Sequence, residues 1–359
     1  MHNAAFLVRN WRVSCVAAFV LLSATSAATA EVRYEFTSLS AQGYSGNAYG
    51  INNAGAVVGY GPGAAVSVNG GPLSYIGNPL GGSGSCAYAI NGAGQIVGYS
   101  GVPNGDTHGF LYSGGQMTDL GTLGGNNSFA YGINSSGQIV GKALTAAETY
   151  HPFLYSGGVM QDLGTFGGTW GEANAINDLG QVAGRATNAN DANLRAFLYS
   201  GGTKVSLGTL GGISSYATAI NNLGQVVGAS DTAGPYGSTH AFLYSGGQMT
   251  DLGTLGSGPS EARGINNLGQ VVGYSGTSGS PRAFLYENGV MTDLNSLIAP
   301  ESGLTLRYAN AINDAGQIVG SCRIYSYDYA FVLTPVPEPA TMGLLGLGLA
   351  GLATRRRKR

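Results

Sequence analysis

Apolar residues recur along this chain in short blocks separated by glycine, asparagine and serine, and one block is repeated many times. The ten residues AINNLGQVVG, which begin at Ala219, return in near copies at Ala89, Ala175 and Ala311. The isoleucine of this block marks seven copies, spaced 39 to 47 residues apart: Ile51, Ile90, Ile133, Ile176, Ile220, Ile265 and Ile312. A period in the low forties is the length of one four-stranded blade of a β-propeller.

Each copy predicts four short strands, which are clearest in the fifth copy. YATAIN and QVVGAS are the first and second strands, and the turn between them opens with Asn221 and closes with Gly224. HAFLYS and QMTDLG are the third and fourth strands, joined by a Gly-Gly hairpin. The sixth copy places Asn288 and Gly289 at that hairpin, which keeps the turn chemistry.

Counting the strands predicts how the fold closes. The first three strands occur seven times if the degenerate AVSVNGG at Ala65 is included, but the last copy lacks a fourth strand because its third runs into Pro335. YEFTSL, which begins at Tyr34, supplies the missing strand. We therefore predict an all-β fold over residues 31–335, a single seven-bladed β-propeller of four-stranded blades closed by the N-terminal strand. Closure with six or eight blades is the alternative.

The first thirty residues predict an export leader that is separate from the fold. Two arginines precede an apolar run from Val13 to Leu22, and the segment ends in ATA before Glu31. This order is typical of a secretory signal peptide that uses the Sec export machinery and is cleaved between Ala30 and Glu31. The apolar run is too short to span a bilayer, which favours cleavage over the alternative of an uncleaved signal anchor.

The opposite end, residues 336–359, reads VPEPATMGLLGLGLAGLATRRRKR. The run from Ala340 to Ala353 carries no charge and as a helix would measure about 21 Å, against a bilayer core of roughly 30 Å. The basic residues after it would stay in the cytoplasm. This end therefore predicts a short C-terminal hydrophobic, transmembrane helix, with the rest of the chain outside the cytoplasm.

This tail resembles the PEP-CTERM sorting signal of Gram-negative bacteria that make exopolysaccharide. The residues that match are Pro337, Glu338, Pro339, Arg355, Arg356, Arg357, Lys358 and Arg359, with a Gly/Leu-rich stretch between the two groups. The resemblance implies an inner-membrane-anchored intermediate, processing near the Pro-Glu-Pro by a membrane enzyme of the exosortase type, and a final place at the cell surface or in the extracellular matrix. A plain C-terminal anchor is the alternative.

The repeats resemble the HAF repeat family, named for a His-Ala-Phe that appears here at His240. The resemblance covers nearly the whole chain between the two end segments. Three copies depart from it, with Arg195, Arg282 or Tyr329 at the histidine position. The resemblance implies an exported bacterial propeller and carries no assigned activity.

Charge and cysteine content narrow the function further. Residues 31–354 hold nine basic and 18 acidic residues, a net charge of −9, which argues against a nucleic-acid partner. The 62 glycines keep fixed places in the repeats, which favours turns over disorder. Cys86 and Cys322 have a whole blade between them, so we expect two free thiols.

The residues that could carry chemistry recur from copy to copy. Three histidines start the third strands of different blades, too far apart to share a metal ion: His108, His151 and His240. The aspartate of MTDL recurs and is typical of a repeated hydrogen-bonding device: Asp119, Asp162, Asp251 and Asp293. Because no nucleophile elbow, zinc motif or calcium loop is present, we assign no catalytic, cofactor-binding or metal-binding residue.

The predicted function is that of a non-enzymatic cell-surface or matrix protein whose propeller scaffold binds glycan or protein, with exopolysaccharide or a surface protein as the candidate partner. Variable loops on one face would carry specificity, and Trp170 and Tyr236 are placed there as candidates for stacking on sugar rings. The alternative is a propeller enzyme acting on extracellular polysaccharide as a hydrolase or lyase. The enzyme requires unlike polar residues from several blades at one mouth of the channel, whereas a glycine-lined mouth favours binding.

Overall fold

The computed structural model describes residues 33–336 apart from 41–45, 62, 69, 79, 192, 235–236, 257, 277–278, 301–302 and 326. The predicted leader with its Ala30–Glu31 cleavage site and the predicted C-terminal helix lie outside the described residues. Within the described ranges, no helix is long and apolar enough to cross a membrane. A single 3₁₀ turn, Leu294–Ser296, is the helix found there.

The rest of the described chain is built from short strands and tight turns. The first nine strands are β1 (Tyr34–Ser38), β2 (Asn47–Ile51), β3 (Val57–Tyr60), β4 (Ala64–Ser67), β5 (Ser74–Tyr75), β6 (Ser85–Ile90), β7 (Ile96–Gly101), β8 (Thr107–Ser113) and β9 (Gln116–Asp119). The next nine are β10 (Gly124–Ile133), β11 (Ile139–Thr145), β12 (Tyr150–Ser156), β13 (Val159–Asp162), β14 (Gly167–Ile176), β15 (Val182–Asn188), β16 (Leu194–Ser200), β17 (Thr203–Ser206) and β18 (Gly211–Ile220). The last ten are β19 (Val226–Thr232), β20 (Thr239–Ser245), β21 (Gln248–Asp251), β22 (Ser260–Ile265), β23 (Val271–Ser275), β24 (Arg282–Glu287), β25 (Val290–Asp293), β26 (Leu304–Ile312), β27 (Ile318–Ile324) and β28 (Tyr327–Pro335).

The strands assemble into five four-stranded sheets and one eight-stranded sheet. Four sheets each hold four consecutive strands, β2–β5, β14–β17, β18–β21 and β22–β25, and the fifth holds β1 with β26–β28. The prediction of seven separate four-stranded blades was wrong: the described residues form an all-β propeller with five four-stranded blades and no apolar helix. The remaining strands, β6–β13, fuse into the eight-stranded sheet, because Thr107 in β8 pairs in parallel with Asn127 in β10. The amide of Thr107 also donates to Oδ1 of Asn127 at 2.9 Å.

The N-terminal strand joins the two ends of the chain. β1 pairs antiparallel with β28, with Tyr34 opposite Pro335 and Ser38 opposite Phe331. β2, the first inner strand, packs against β26 and β27 of the last repeat. The repeats therefore close into a ring, with the strand from the N-terminus completing the sheet that the last repeat leaves short.

A ring of seven asparagines links the repeats at one end of the central channel. Each one is buried, follows a marker isoleucine and donates from Nδ2 to the backbone oxygen of the next at 3.0 or 3.1 Å, with the last returning to the first: Asn52, Asn91, Asn134, Asn177, Asn221, Asn266 and Asn313. In its own turn, Oδ1 of Asn221 also accepts the amides of Leu223 and Gln225. We call the end of the propeller formed by these seven turns the asparagine face.

The glycine that ends each repeated block is required by close backbone packing. A Cβ added at Gly228 would lie 2.0 Å from the carbonyl oxygen of Tyr216, where no side chain fits. The same crowding, at 1.9 to 2.2 Å, occurs at the corresponding glycine of every repeat: Gly59, Gly98, Gly141, Gly184, Gly228, Gly273 and Gly320. The repeated ten residues are therefore explained by the ring and by this close approach of the two inner strands.

The apolar core lies between neighbouring sheets. Phe242, which is fully buried, packs in one cluster with Ile220 and Val226 of its own repeat and with Ala183 and Leu207 of the preceding one. Each large apolar side chain buried in this way contributes about 1.5–3 kcal/mol. Because the clusters join residues of adjacent repeats, a repeat taken alone would leave both faces of its sheet in water.

Substituting Asn221→Ala tests the contribution of the asparagine ring. The change leaves the amides of Leu223 and Gln225 and the carbonyl oxygen of Asn266 without their partner, so we expect the free energy of unfolding to fall by about 3 kcal/mol. Urea denaturation followed by circular dichroism measures it. The exposed Asn190→Ala is the control and should change stability by less than about 0.5 kcal/mol. Equal losses in the two variants would contradict the role of the ring.

Candidate functional site

A cavity of about 490 Å³ opens at the end of the channel opposite the asparagine face. Its wall combines phenols, carboxylates, guanidinium groups and amides: Tyr49, Tyr88, Tyr131, Glu172, Asn174, Arg185, Tyr216, Thr218, Glu261, Arg263 and Asn310. We call it the axial cavity. Unlike polar residues from every repeat therefore converge at one mouth of the channel, which is the arrangement the enzyme alternative requires.

A β-bulge in each inner strand places one side chain per repeat in this wall. The pairing register of each inner strand shifts around the residue two places before the marker isoleucine, as between Ala217 and Ala219, which leaves Thr218 as the extra residue. Seven wall residues occupy this bulge position: Tyr49, Tyr88, Tyr131, Asn174, Thr218, Arg263 and Asn310. This site was not predicted from the sequence, although its signal was present as the one variable residue in the repeated motif Ala-x-(Gly/Ala)-Ile-Asn.

The two carboxylates of the cavity are both neutralised by neighbours. Glu172, only 6% exposed, accepts from Arg185 at 2.8 Å and from Lys142 Nζ at 3.3 Å. Glu261 accepts from Arg263 Nε at 3.0 Å and from the hydroxyls of two tyrosines, Tyr216 at 2.8 Å and Tyr274 at 3.1 Å. Burying a carboxylate without such partners would be very costly, so these ion pairs hold the wall in a single arrangement.

A row of tyrosines forms the other side of the cavity. The ring centres of Tyr49 and Tyr88 are 5.3 Å apart, as are those of Tyr88 and Tyr131. Burial raises the pKa of Tyr49 to about 12 and also raises the pKa of Tyr88 and of Tyr131, so all three phenols stay neutral in ordinary buffers. Each offers an aromatic face with a hydroxyl that can donate or accept a hydrogen bond.

Of the two residues predicted to form a ligand face, the structure describes Trp170. Trp170 lies within strand β14 and not in a loop, with Lys142 Nζ 5.5 Å and Arg185 Cζ 5.1 Å from its ring centre. Both cations also pair with Glu172 in the wall of the axial cavity, so Trp170 stabilises this wall through them. Tyr236 lies outside the described residues, and ligand stacking by either residue stays a prediction.

The repeated histidines and aspartates pair with each other within single sheets. In each pair Nδ1 of the histidine lies 2.8 Å from an aspartate oxygen: His108 with Asp119, His151 with Asp162, and His240 with Asp251. The sixth repeat keeps the pair with an arginine instead, since Arg282 lies 2.6 Å from Asp293. Across the part of the chain that is described, no three His, Cys, Asp or Glu side chains come together in a way that could hold a metal ion.

The two cysteines are buried in different sheets, Cys86 in β6 and Cys322 in β27, and no disulfide joins them. Burial raises the pKa of Cys86 to about 12. The reactive thiolate form is therefore scarce at neutral pH, which argues against a nucleophilic role for this residue beside the cavity.

The end of the chain gives the clearest likeness to a known family. Residues 335–358 match the family model described as the PEP-CTERM protein-sorting motif. This segment is a PEP-CTERM sorting signal. The signal implies an exported protein of a Gram-negative bacterium that passes through a membrane-associated intermediate and is processed by exosortase. The predicted sorting signal is thus confirmed.

Solved structures share the fold at low sequence identity. The β-propeller domain of the trilobed protease from Pyrococcus furiosus is 10% identical at a TM-score of 0.56, and the match covers 82% of this chain and 98% of that chain. The extracellular domain of BT4673 from B. thetaiotaomicron is 13% identical at a TM-score of 0.53, over 85% of this chain and 40% of that one. At these identities the likeness shows the propeller fold alone.

No curated protein matches this chain in sequence. The resemblance of the repeats to the HAF family finds no support in the comparisons and stays a hypothesis that depends on the repeats alone.

Alkaline titration tests the buried state of the cavity phenols. Tyr49 and Tyr274 have folded-state pKa values of about 12 against an ordinary 10.0, so the stability they provide is complete below pH 10 and is lost as the pH rises through 12. We expect tyrosinate absorbance at 295 nm to show a late phase that coincides with loss of the far-ultraviolet circular dichroism signal. Complete ionisation near pH 10 with the fold intact would contradict this.

Proposed function

We propose that this protein is a non-enzymatic binding scaffold of the cell surface or extracellular matrix, and that the axial cavity holds a short segment of glycan. The proposed route is export by the Sec machinery, exosortase processing near Pro337–Pro339, and release or transfer to the outer surface. The observation that carries the binding role is the bulge position, which presents seven side chains of four types, Tyr, Asn, Thr and Arg, to one cavity.

The shape and lining of the cavity favour a saccharide over a protein partner. Its volume of about 490 Å³ lies in the range of pockets for small molecules, and it is concave, whereas protein partners dock on broad surfaces. A sugar ring offers an apolar face and a rim of hydroxyls. The apolar face of the sugar matches the aromatic faces of Tyr49, Tyr88 and Tyr131. The hydroxyl rim matches the amide or hydroxyl groups of Asn174, Thr218 and Asn310.

The state of the two carboxylates favours binding over catalysis. General acid–base catalysis needs a proton donor and a proton acceptor whose environments separate their pKa values. Glu172 is bound by two cations, and Glu261 is bound by one cation and two phenols. Each carboxylate is therefore occupied by a cation and a second donor of its own, and these similar contacts do not set one apart as acid and the other as base.

Binding is tested with oligosaccharides prepared from the producer's own exopolysaccharide, titrated calorimetrically into the purified protein. Tyr49→Ala removes an aromatic face from the cavity and should weaken affinity about tenfold or more. Tyr75→Ala, on the outer strand of the same sheet, is the control and should bind like the unaltered protein. Equal affinity in all three proteins, or no binding by the unaltered one, would reject the proposal.

The convergence of unlike polar residues, two carboxylates among them, favours a polysaccharide hydrolase or lyase as the second candidate. Prolonged incubation with the same polysaccharide separates the two functions. The binding proposal predicts no new reducing ends and no new absorbance at 235 nm. Product that disappears in Glu261→Gln, while the fold of that variant is retained, would establish the enzyme instead.

A further inference from the structure

We propose that the asparagine face lies against the membrane surface while the chain is still anchored, with three exposed leucines contacting zwitterionic lipid. The axial cavity, at the opposite end of the channel, then points away from the membrane. The inference depends on the membrane-associated intermediate that the sorting signal implies, and it is independent of which ligand the cavity binds.

The described chain leaves the propeller at the asparagine face. The last described residue, Val336, donates its amide to the carbonyl oxygen of Arg33 at 2.9 Å, so both described ends lie together. Pro335 lies beside the turn of the last repeat, since a Cβ at Gly316 would be 3.2 Å from its Cγ. The apolar run of the sorting signal begins four residues after Val336, and four residues reach at most about 14 Å.

The same face carries a group of exposed leucines. They occupy the third position of the turn in three consecutive repeats and are 71, 68 and 71% exposed: Leu179, Leu223 and Leu268. The other four repeats have small residues there: Ala54, Ala93, Ser136 and Ala315. Exposing several large apolar side chains on one surface is typical of an interaction site. The hairpins of this face add three exposed aliphatic residues, Val68, Val159 and Val290.

Because the connection to the anchor is short, a weak contact is sufficient to keep the asparagine face at the membrane surface. Three leucines alone would give only transient binding to a bilayer from solution. A tether of about 14 Å raises the local concentration of the face at the membrane into the millimolar range, so that even weak contacts are occupied. Asp178 and Asp314 lie on the same turns, and hydrogen bonds to neighbouring turns lower their pKa values, so both stay charged and favour zwitterionic over anionic lipid.

The orientation is tested with the full chain in phosphatidylcholine vesicles, with Cys15→Ser removing the thiol of the leader and with Cys86 and Cys322 left buried. A single cysteine is introduced at Leu223→Cys, labelled with bimane and exposed to brominated phosphatidylcholine. Ile213→Cys, in the same repeat but in β18 near the cavity end, is the matched control because Ile213 is 66% exposed and Leu223 is 68% exposed.

We expect brominated lipid to quench the label at residue 223 at least twofold and to leave the label at residue 213 unchanged. Equal quenching at the two sites, or none at residue 223, would overturn the proposal. A blue shift at residue 223 before vesicles are added would also overturn it, because a second copy or the tail would then cover the leucines. Repeating the measurement in Tyr49→Ala separates the two proposals, since loss of ligand binding should leave the quenching unchanged.

Discussion

One buried asparagine in each repeat bonds to the backbone of the next repeat, and Asn221 shows how fully such a side chain can be used. In Asn221 the two Nδ2 hydrogens go to Gln225 Oε1 and to the backbone oxygen of Asn266, and Oδ1 accepts two amides of its own turn. Aspartate lacks the donors and leucine lacks every polar atom, so no other residue of this size satisfies all four groups. Because the chain of bonds returns from Asn313 to Asn52, the ring is complete only when every repeat is in place.

Because of this constraint, the two ends of each inner strand have different functions. The asparagine end is the same in all repeats and serves the fold, whereas the bulge position three residues earlier holds four residue types across the seven repeats and faces the axial cavity. A constant frame lets these side chains vary without disturbing the pairing of the strand. The rigid ion pairs at Glu172 and Glu261 then hold the cavity in one shape, which lowers the entropic cost of binding a ligand.

Much of the architecture could be predicted from the repeats, and the rest depended on single contacts. The strand Tyr34–Ser38 was assigned to the last sheet by counting alone, and the sorting signal by the order of three features. The fusion of strands β6–β13 depends on one parallel pairing, that of Asn127 with Thr107, which no repeat pattern contains. Trp170 was assigned to a loop, but β14 already begins at Gly167 and includes it.

The cavity was missed for a related physical reason. Alternation of inward and outward residues fails at a bulge, so the position two before each isoleucine could not be assigned to a face from the sequence pattern. The recurring histidines, present in three copies, were the more visible candidates, but the structure pairs them with aspartates within single sheets. In a repeat protein, the position that changes within a constant strand is the better indicator of a binding site.

The central claim is that the asparagine ring makes the repeats a single cooperative unit, and native-state hydrogen exchange in low urea tests it most directly. The inner-strand amides of Val58 in the first repeat and Val227 in the fifth are buried at equivalent positions. The account predicts that both exchange with the same opening free energy and the same dependence on urea. Opening free energies that differ from repeat to repeat, as in an open stack, would contradict it.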